Sequence, residues 1–278
     1  MLFIRSLLFY IVFYVNNVVQ VLFFAIPFFL SGTDTGYKIA RFWARSNIKL
    51  HEWIIGTKVE LRGLENIPKG GCLVACKHQS SHETLSLFCN FHRPAYIMKR
   101  SLTKIPILGR YFLRLGQIPV DRGRKGEALA SMTKGVKRAI ADGSQVLIFP
   151  EGTRQRLYAE PSYKYGIQHL YKTLNQPVLP VAVNTGAFWP KDSFVHYPGT
   201  VVLEFLPIIE PGIDPNIFQV QLIDAIENAS DKLLDEAADG LRPSPLAVQA
   251  IAARAQAKVD PGPSADSNDL TQSIGNPL

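Results

Sequence analysis

The sequence predicts an α/β protein: a mixed, largely parallel sheet of about seven strands flanked by helices, preceded by a membrane-associated two-helix segment. Three observations carry this expectation. From Thr57 to about Gly240, short β-branched runs alternate with segments of helical period. The first 30 residues carry Arg5 as their only charge. Only 19% of the chain is charged while 47% is hydrophobic, which is not the balance of an ordinary soluble surface. At 278 residues the chain supports one well-buried domain with additions. Its net charge of +7 calls for an anionic partner: nucleic acid, a membrane surface or a phosphorylated substrate. Zinc-finger, RNA-binding and basic-zipper signatures are missing, so no nucleic-acid partner is expected.

Taken in order, residues 1–30 form an apolar run too long for the core of a signal peptide, and no small-residue cleavage site follows. About 20 apolar residues suffice to cross a bilayer. Asn16, Asn17 and Gln20 interrupt the run, however, and Pro27 bends its end. A full span and a helix held in one leaflet both fit. A second helix is expected over Thr35 to Ile55. Its Lys38, Arg41, Arg45, Lys49 and Glu52 recur at spacings of three and four beside Phe42, Trp43 and Trp53. A basic stripe next to aromatics is the pattern of a helix lying on anionic lipid, although a helix packed on the domain can carry such a solvated face too. The membrane-associated segment is therefore 1–56.

The catalytic domain is expected over 57–240. Its strands read as Lys58–Arg62, Cys72–Cys76, Ala95–Met98, Gln117–Val120, Gln145–Phe149, Val178–Asn184 and Thr200–Leu206. Its helices read as Ser81–Phe91, Ile107–Leu115, Gly126–Ala141, Tyr163–Leu174 and Asn216–Asp235. Beyond residue 240 the composition turns to Ala, Pro, Ser, Asp and Asn. Residues 241–278 read as a short Ala-rich piece, helical at most, leading into a disordered tail. Cys72 and Cys76 lie four apart on a strand, roughly 13 Å and too far to bridge. With Cys89 they read as small buried hydrophobes in a reducing compartment, with the catalytic region facing the cytosol.

The chemistry starts at Lys77-His78-Gln79-Ser80-Ser81-His82-Glu83, between a strand and a helix start. Five residues apart on one helix, His78 and Glu83 would face away from each other. They meet only if His78 sits in the turn and Glu83 in the first helical turn. Ser80-x-x-Glu83 also fits a capping box, so Glu83 reads equally as a cap and as the partner of a basic imidazole. His78 and His82 have the spacing of two zinc ligands on a helix, but that needs a helical His78 and a third ligand for which no motif is present.

Three further stretches join this one. The strand ending at Phe149 runs into Pro150-Glu151-Gly152-Thr153-Arg154, where Arg154 suits bidentate phosphate contact. Lys99, Arg100, Lys104, Arg110, Arg114, Arg122, Arg124 and Lys125 are interleaved with Ile105-Pro106-Ile107-Leu108-Gly109 and Ile118-Pro119-Val120. Cations beside apolar surface suit an amphiphile with an anionic head. Val178–Val183 is an apolar strand broken by Pro180, ending in the turn Asn184-Thr185-Gly186.

In this order, His78–Glu83, Lys99 through Arg122, Phe149–Arg154 and Val178–Val183 resemble the four motifs of the glycerophospholipid acyltransferase family. The likeness is closest to its bacterial 1-acyl-sn-glycerol-3-phosphate acyltransferases and covers about residues 57–210. The acid after the histidine is Glu83 where the family usually has Asp. Ser101 and Arg110 depart from its second motif. The resemblance implies direct transfer of an acyl group to the sn-2 hydroxyl of lysophosphatidate, with His78 as general base and Glu83 as its partner. It places Lys99, Arg122, Glu151, Gly152, Thr153 and Arg154 at the substrate. The co-substrate would be an acyl thioester, of coenzyme A or acyl carrier protein, with no cofactor and no metal. It further implies membrane lipid as partner, at a bacterial inner membrane with the site facing the cytoplasm. The rival acceptors are a lyso-ornithine lipid and lysophosphatidylglycerol.

Overall fold

The computed structural model describes residues 1–121, 125–157 and 159–259. Three helices open the chain: α1 (Leu2–Phe23), α2 (Ala25–Leu30) and α3 (Thr33–Ile55). Then come β1 (Thr57–Arg62), β2 (Cys72–Cys76), α4 (His82–Asn90), β3 (Pro94–Lys99), α5 (Leu108–Arg114), β4 (Ile118–Val120) and α6 (Lys125–Ala141). The chain continues through β5 (Gln145–Ile148), α7 (Tyr165–Leu174), β6 (Val178–Val183), β7 (Gly199–Phe205), α8 (Pro215–Asp239) and α9 (Pro245–Val259). The strands form one sheet in the order β1-β7-β6-β2-β5-β3-β4. Neighbours from β6 through β4 are parallel, while β7 turns antiparallel to β6 and carries β1 parallel to itself.

Parallel strands are covered on both faces, and this sheet obeys that rule. Along β2, Cys72, Val74 and Cys76 point into a core shared with α1, α3, α4 and α9. Leu73 and Ala75 point into a second core with α6, α7 and α8. That period of two is the strand pleat, and all five residues are fully buried. Because the parallel strands run the same way, their C-terminal ends open on one side of the sheet, where loop residues can converge.

The N-terminal segment answers the question left by its polar residues. Asn16 Nδ2 donates to Ser46 Oγ (3.2 Å) and Asn47 Oδ1 (3.1 Å), Gln20 Nε2 to Ser46 Oγ (2.7 Å), and Trp43 Nε1 to Asn17 Oδ1 (2.6 Å). The amides line the face of α1 that packs on α3. Phe3, Leu7, Ile11, Val15, Val18 and Leu22 stay exposed on α1. Among the described residues α1 is the one helix long and apolar enough to cross a membrane. The run breaks at Phe24, and Pro27 falls in the first turn of α2, where its missing N–H costs no helical bond.

Polar contacts also join α1 to the catalytic domain and to the end of α3. The His196 backbone N–H donates to Ser6 Oγ at 2.9 Å, and Arg5 Nε donates to Ile54 O of α3 at 2.6 Å. Thr57 Oγ1, His51, His196 and Tyr10 OH form a hydrogen-bonded chain with steps of 2.9, 3.0 and 3.0 Å.

Two expectations need correction. Within 241–278, read as a short Ala-rich piece leading into a disordered tail, α9 (Pro245–Val259) continues the domain. Ala247 and Ala250 are buried, Ser244 Oγ donates to Ala187 O at 2.7 Å, and Arg254 pairs with Asp231 on α8. Alanines small enough to let α9 sit close on its neighbours explain why a weakly patterned segment folds. Residues 260–278 lie outside the described residues. The second correction is the helix start, His82 rather than Ser81.

Candidate active site

The strand β2 delivers His78 into the turn before α4, and α4 returns Glu83 beneath it. His78 Nδ1 and Glu83 Oε1 stand 2.8 Å apart. The same oxygen accepts the backbone N–H groups of Gln79 (2.9 Å) and Ser80 (2.8 Å). The cap and the imidazole partner are thus one atom. Ser80 completes a shifted version of the expected capping pair, since its Oγ accepts from the His82 N–H at 3.1 Å and not from Glu83. Oε2 of Glu83 accepts from Thr185 Oγ1 at 2.7 Å.

Glu83 is fully buried, which for an unpaired carboxylate would cost several kcal/mol. Four partners, each worth about 1.5–3 kcal/mol to a charged acceptor, offset that cost and fix both oxygens. The His78 side chain keeps 18% of its surface exposed while that of Glu83 keeps none. Part of the imidazole is therefore open to solvent, while its Nδ1 edge faces a fixed acceptor. Phe149 stacks on the His78 ring at 3.8 Å between centroids and 15° between planes. That contact sets the plane of the ring and keeps water from one of its faces.

The Pro150–Arg154 loop beyond β5 is bound to this turn from the side. Glu151 Oε2 accepts the His78 backbone N–H at 3.0 Å, and the Gln155 N–H donates to His78 O at 2.7 Å. Glu151 is thus occupied in holding the His78 turn. Burial pushes its carboxyl above the usual range. Beneath it, buried Lys77 pairs with Glu227 of α8, which also accepts from Tyr163 OH at 2.9 Å. Gly152 turns the loop with φ of 74°, a left-handed conformation that favours glycine. Thr153 is exposed, and half-buried Arg154 donates through Nη1 to Ser81 Oγ at 3.2 Å. The guanidinium therefore sits against the His78 turn.

Lys99 stands exposed at the C-terminal end of β3, two strand spacings from β2, or roughly 10 Å. Arg122 lies outside the described residues, just after β4. His82 does not join His78. It is fully buried, with Nδ1 3.1 Å from Ser86 Oγ, and burial lowers it to about 4. Among the described residues no group of three or more His, Cys, Asp or Glu stands in a metal-holding arrangement. The thiols are not poised as nucleophiles either. Burial pushes Cys72 up to about 12 and Cys89 to about 11, and raises Cys76 as well.

Thr185 and Gln79 are site residues that sequence reasoning missed. Gln79 Oε1 accepts the Gly186 N–H at 3.1 Å, and a Cβ at residue 186 would stand 3.0 Å from Gln79 Cβ. The turn after β6 and the turn after β2 approach closely at a point where glycine leaves room. The available signal was the Asn184-Thr185-Gly186 turn itself. The 102 residues between Thr185 and Glu83 hid its partner.

An imidazole held by a buried carboxylate, beside an arginine loop at the open end of a parallel sheet, is an arrangement that can accept a proton from a bound substrate. Comparison with known proteins shows the family. The family model described as Acyltransferase matches residues 58–184. The 1-acyl-sn-glycerol-3-phosphate acyltransferase of Pseudomonas aeruginosa is 38% identical over 159 residues, covering 57% of this chain and 62% of that protein. The protein of that name from Borreliella burgdorferi is 30% identical over 169 residues, covering 60% and 67%. The crystal structure of the 1-acyl-sn-glycerophosphate acyltransferase PlsC from Thermotoga maritima superposes with a TM-score of 0.69 at 26% identity. It covers 84% of this chain and 98% of that one. This chain belongs to the acyltransferase family that contains these 1-acyl-sn-glycerol-3-phosphate acyltransferases. It spans about six tenths of the length of the first curated relative it matches.

Proposed function

We propose that the protein transfers an acyl group from a thioester to the sn-2 hydroxyl of 1-acyl-sn-glycerol 3-phosphate, forming phosphatidate. The observation that carries this reading is the His78 Nδ1–Glu83 Oε1 contact of 2.8 Å beside the Arg154 loop. Glu83 accepting from Nδ1–H leaves Nε2 as the basic nitrogen. Nε2 takes the proton of the acceptor hydroxyl as its oxygen attacks the thioester carbonyl carbon. The tetrahedral adduct collapses with cleavage of the C–S bond, and the thiolate leaves with the proton returned from Nε2. Glu83 keeps the tautomer fixed and stabilises the imidazolium formed midway.

Arg154 binds the acceptor phosphate, with Lys99 at a neighbouring strand end, Arg122 as a further cation and Thr153 on the exposed rim. The donor is acyl-coenzyme A or an acylated carrier protein, and the residues described supply base, orientation and charge without a cofactor. The exposed face of α1 and the aromatics Phe42 and Trp53 of α3, 56% and 74% exposed, enter one leaflet of a bacterial inner membrane from its cytoplasmic side. The polar face of α1 is already spent on α3, which favours a helix pair in one leaflet over a lone span.

The deciding experiment offers the purified protein lysophosphatidate, lysophosphatidylglycerol and a lyso-ornithine lipid with each donor. Phosphatidate formed fastest supports the proposal. Preference for either other acceptor reassigns the head group.

A further inference from the structure

We infer that the segment Arg100–Arg114 is a second membrane-contact element, inserted into an anionic lipid surface alongside the N-terminal helices. The 3-10 turn Arg100–Lys104, the link after it and α5 carry Leu102, Ile105, Ile107 and Leu113 at 38–54% exposure, with Lys104, Arg110 and Arg114 exposed among them. Four apolar side chains of this size on one short segment need cover, and the flanking cations specify what covers them.

The backbone shows that the presentation is enforced. The Leu108 N–H donates to Pro106 O at 2.6 Å across Ile107, whose φ of 62° and ψ of −58° form a tight turn that β-branched residues avoid. A residue held there at a cost, with its side chain left in the open, marks a functional constraint.

Continuity identifies the partner. Tyr111 of α5 stacks on Phe28 of α2 at 4.1 Å and donates to Val21 O at 2.8 Å, and Arg114 donates to Ser31 O. The segment is therefore fixed to the helices proposed above to enter the leaflet. A groove of about 510 Å³ lies between Ala25 and Phe29 on one side and Thr103–Ile107 on the other, and α2 also carries Ile26 and Leu30, 71% and 83% exposed. Adjoining exposed apolar residues with cations among them fit an anionic bilayer. It also fits the position of the segment, which follows directly on Lys99 at the open end of the sheet.

The inference rests on the membrane placement of α1, and the test separates the two. The full chain carries Cys89→Ala and one environment-sensitive dye, attached through Ile105→Cys, Ile11→Cys or Asp224→Cys. Vesicles of phosphatidylethanolamine with phosphatidylglycerol are added, with a nitroxide lipid as quencher. The dyes at 105 and 11 are expected to shift to the blue and quench, while the dye on exposed Asp224 of α8 stays in water. Insertion at 11 without insertion at 105 overturns this inference and spares the placement of α1. Failure at both positions overturns both. A shift at 105 produced only by an acidic carrier protein, or only by raising the protein concentration, assigns the surface to that partner or to a second copy and likewise overturns the inference. Replacing Lys104 and Arg110 by Gln should weaken partition to these vesicles by roughly five-fold per charge and leave partition to phosphatidylcholine vesicles unchanged. Equal loss on both vesicle types overturns the electrostatic part.

Discussion

Thr185 Oγ1 donates to Glu83 Oε2 at 2.7 Å, so the turn after β6 holds the carboxylate that holds the His78 ring. Thr185 touches neither His78 nor the Arg154 loop in these contacts, and its effect on turnover must pass through Glu83. Thr185→Val leaves Oε2 buried without that donor. It should cost about 1–3 kcal/mol of stability and lower kcat while the KM for lysophosphatidate holds. Thr185→Ser keeps the hydroxyl and should restore kcat. A Ser variant as slow as the Val variant would show that packing, not the hydrogen bond, matters.

Glu83→Gln keeps the shape of the site. Its amide oxygen can still accept from Gln79 and Ser80, and its NH2 can face the Thr185 hydroxyl. What it loses is the charge opposite the imidazolium. Turnover should fall far more than melting temperature does. A variant that melts early yet keeps its specific activity would reduce Glu83 to a cap.

His78→Ala removes the base and should cut kcat by about 10²–10⁴-fold in a protein that still folds, because the side chain is partly exposed and Glu83 retains three donors. Steady-state acyl transfer near the parent rate would remove His78 from the mechanism.

Arg154→Ala should raise the KM for the phosphorylated acceptor with a smaller change in kcat. Arg154→Lys should recover only part of it, since an ammonium lacks the planar fork. An unchanged KM would move the phosphate to Lys99 and the loop after β4.

Acid should unfold the domain through buried neutral imidazoles. Burial holds His82 at about 4 and His196 at about 3, against 6.5 in an open chain. Below 6.5 the unfolded chain binds protons that the folded one refuses. Stability is therefore full above 6.5 and declines as pH falls toward 4, by ~3 kcal/mol for His82 alone. Urea midpoints across that window should show the decline, and His82→Gln should make it shallower. A parent midpoint that does not move contradicts the burial of these rings.

Much of this architecture was legible in the sequence. The seven strands fall within about a residue or two of their expected limits because each couples a β-branched run to a turn signal. His78 and Glu83 could be placed together because Ser80 marks the helix start between them. Three things were out of reach. The capping box says that Glu83 turns back, not that a single oxygen serves both helix and imidazole. Thr185 and Glu227 reach their partners across 102 and 150 residues, and no local pattern encodes such distances. The amides of α1 looked like obstacles to burial until α3 supplied Ser46 and Asn47.

With α1 placed in the leaflet as proposed, the contacts of Ser6 and Tyr10 with His196 of the catalytic domain make that helix a strut, not a tether. A tethered enzyme would sample many heights above its surface and meet lipid by swinging down to it. A strut fixes the height of the His78 turn, so the search for a lipid acceptor becomes lateral, in two dimensions. The rate should then follow the mole fraction of lysolipid in the leaflet and not its concentration in the bulk suspension. Diluting the acceptor with inert lipid at constant total amount would slow the enzyme, whereas adding more vesicles of the same composition would not.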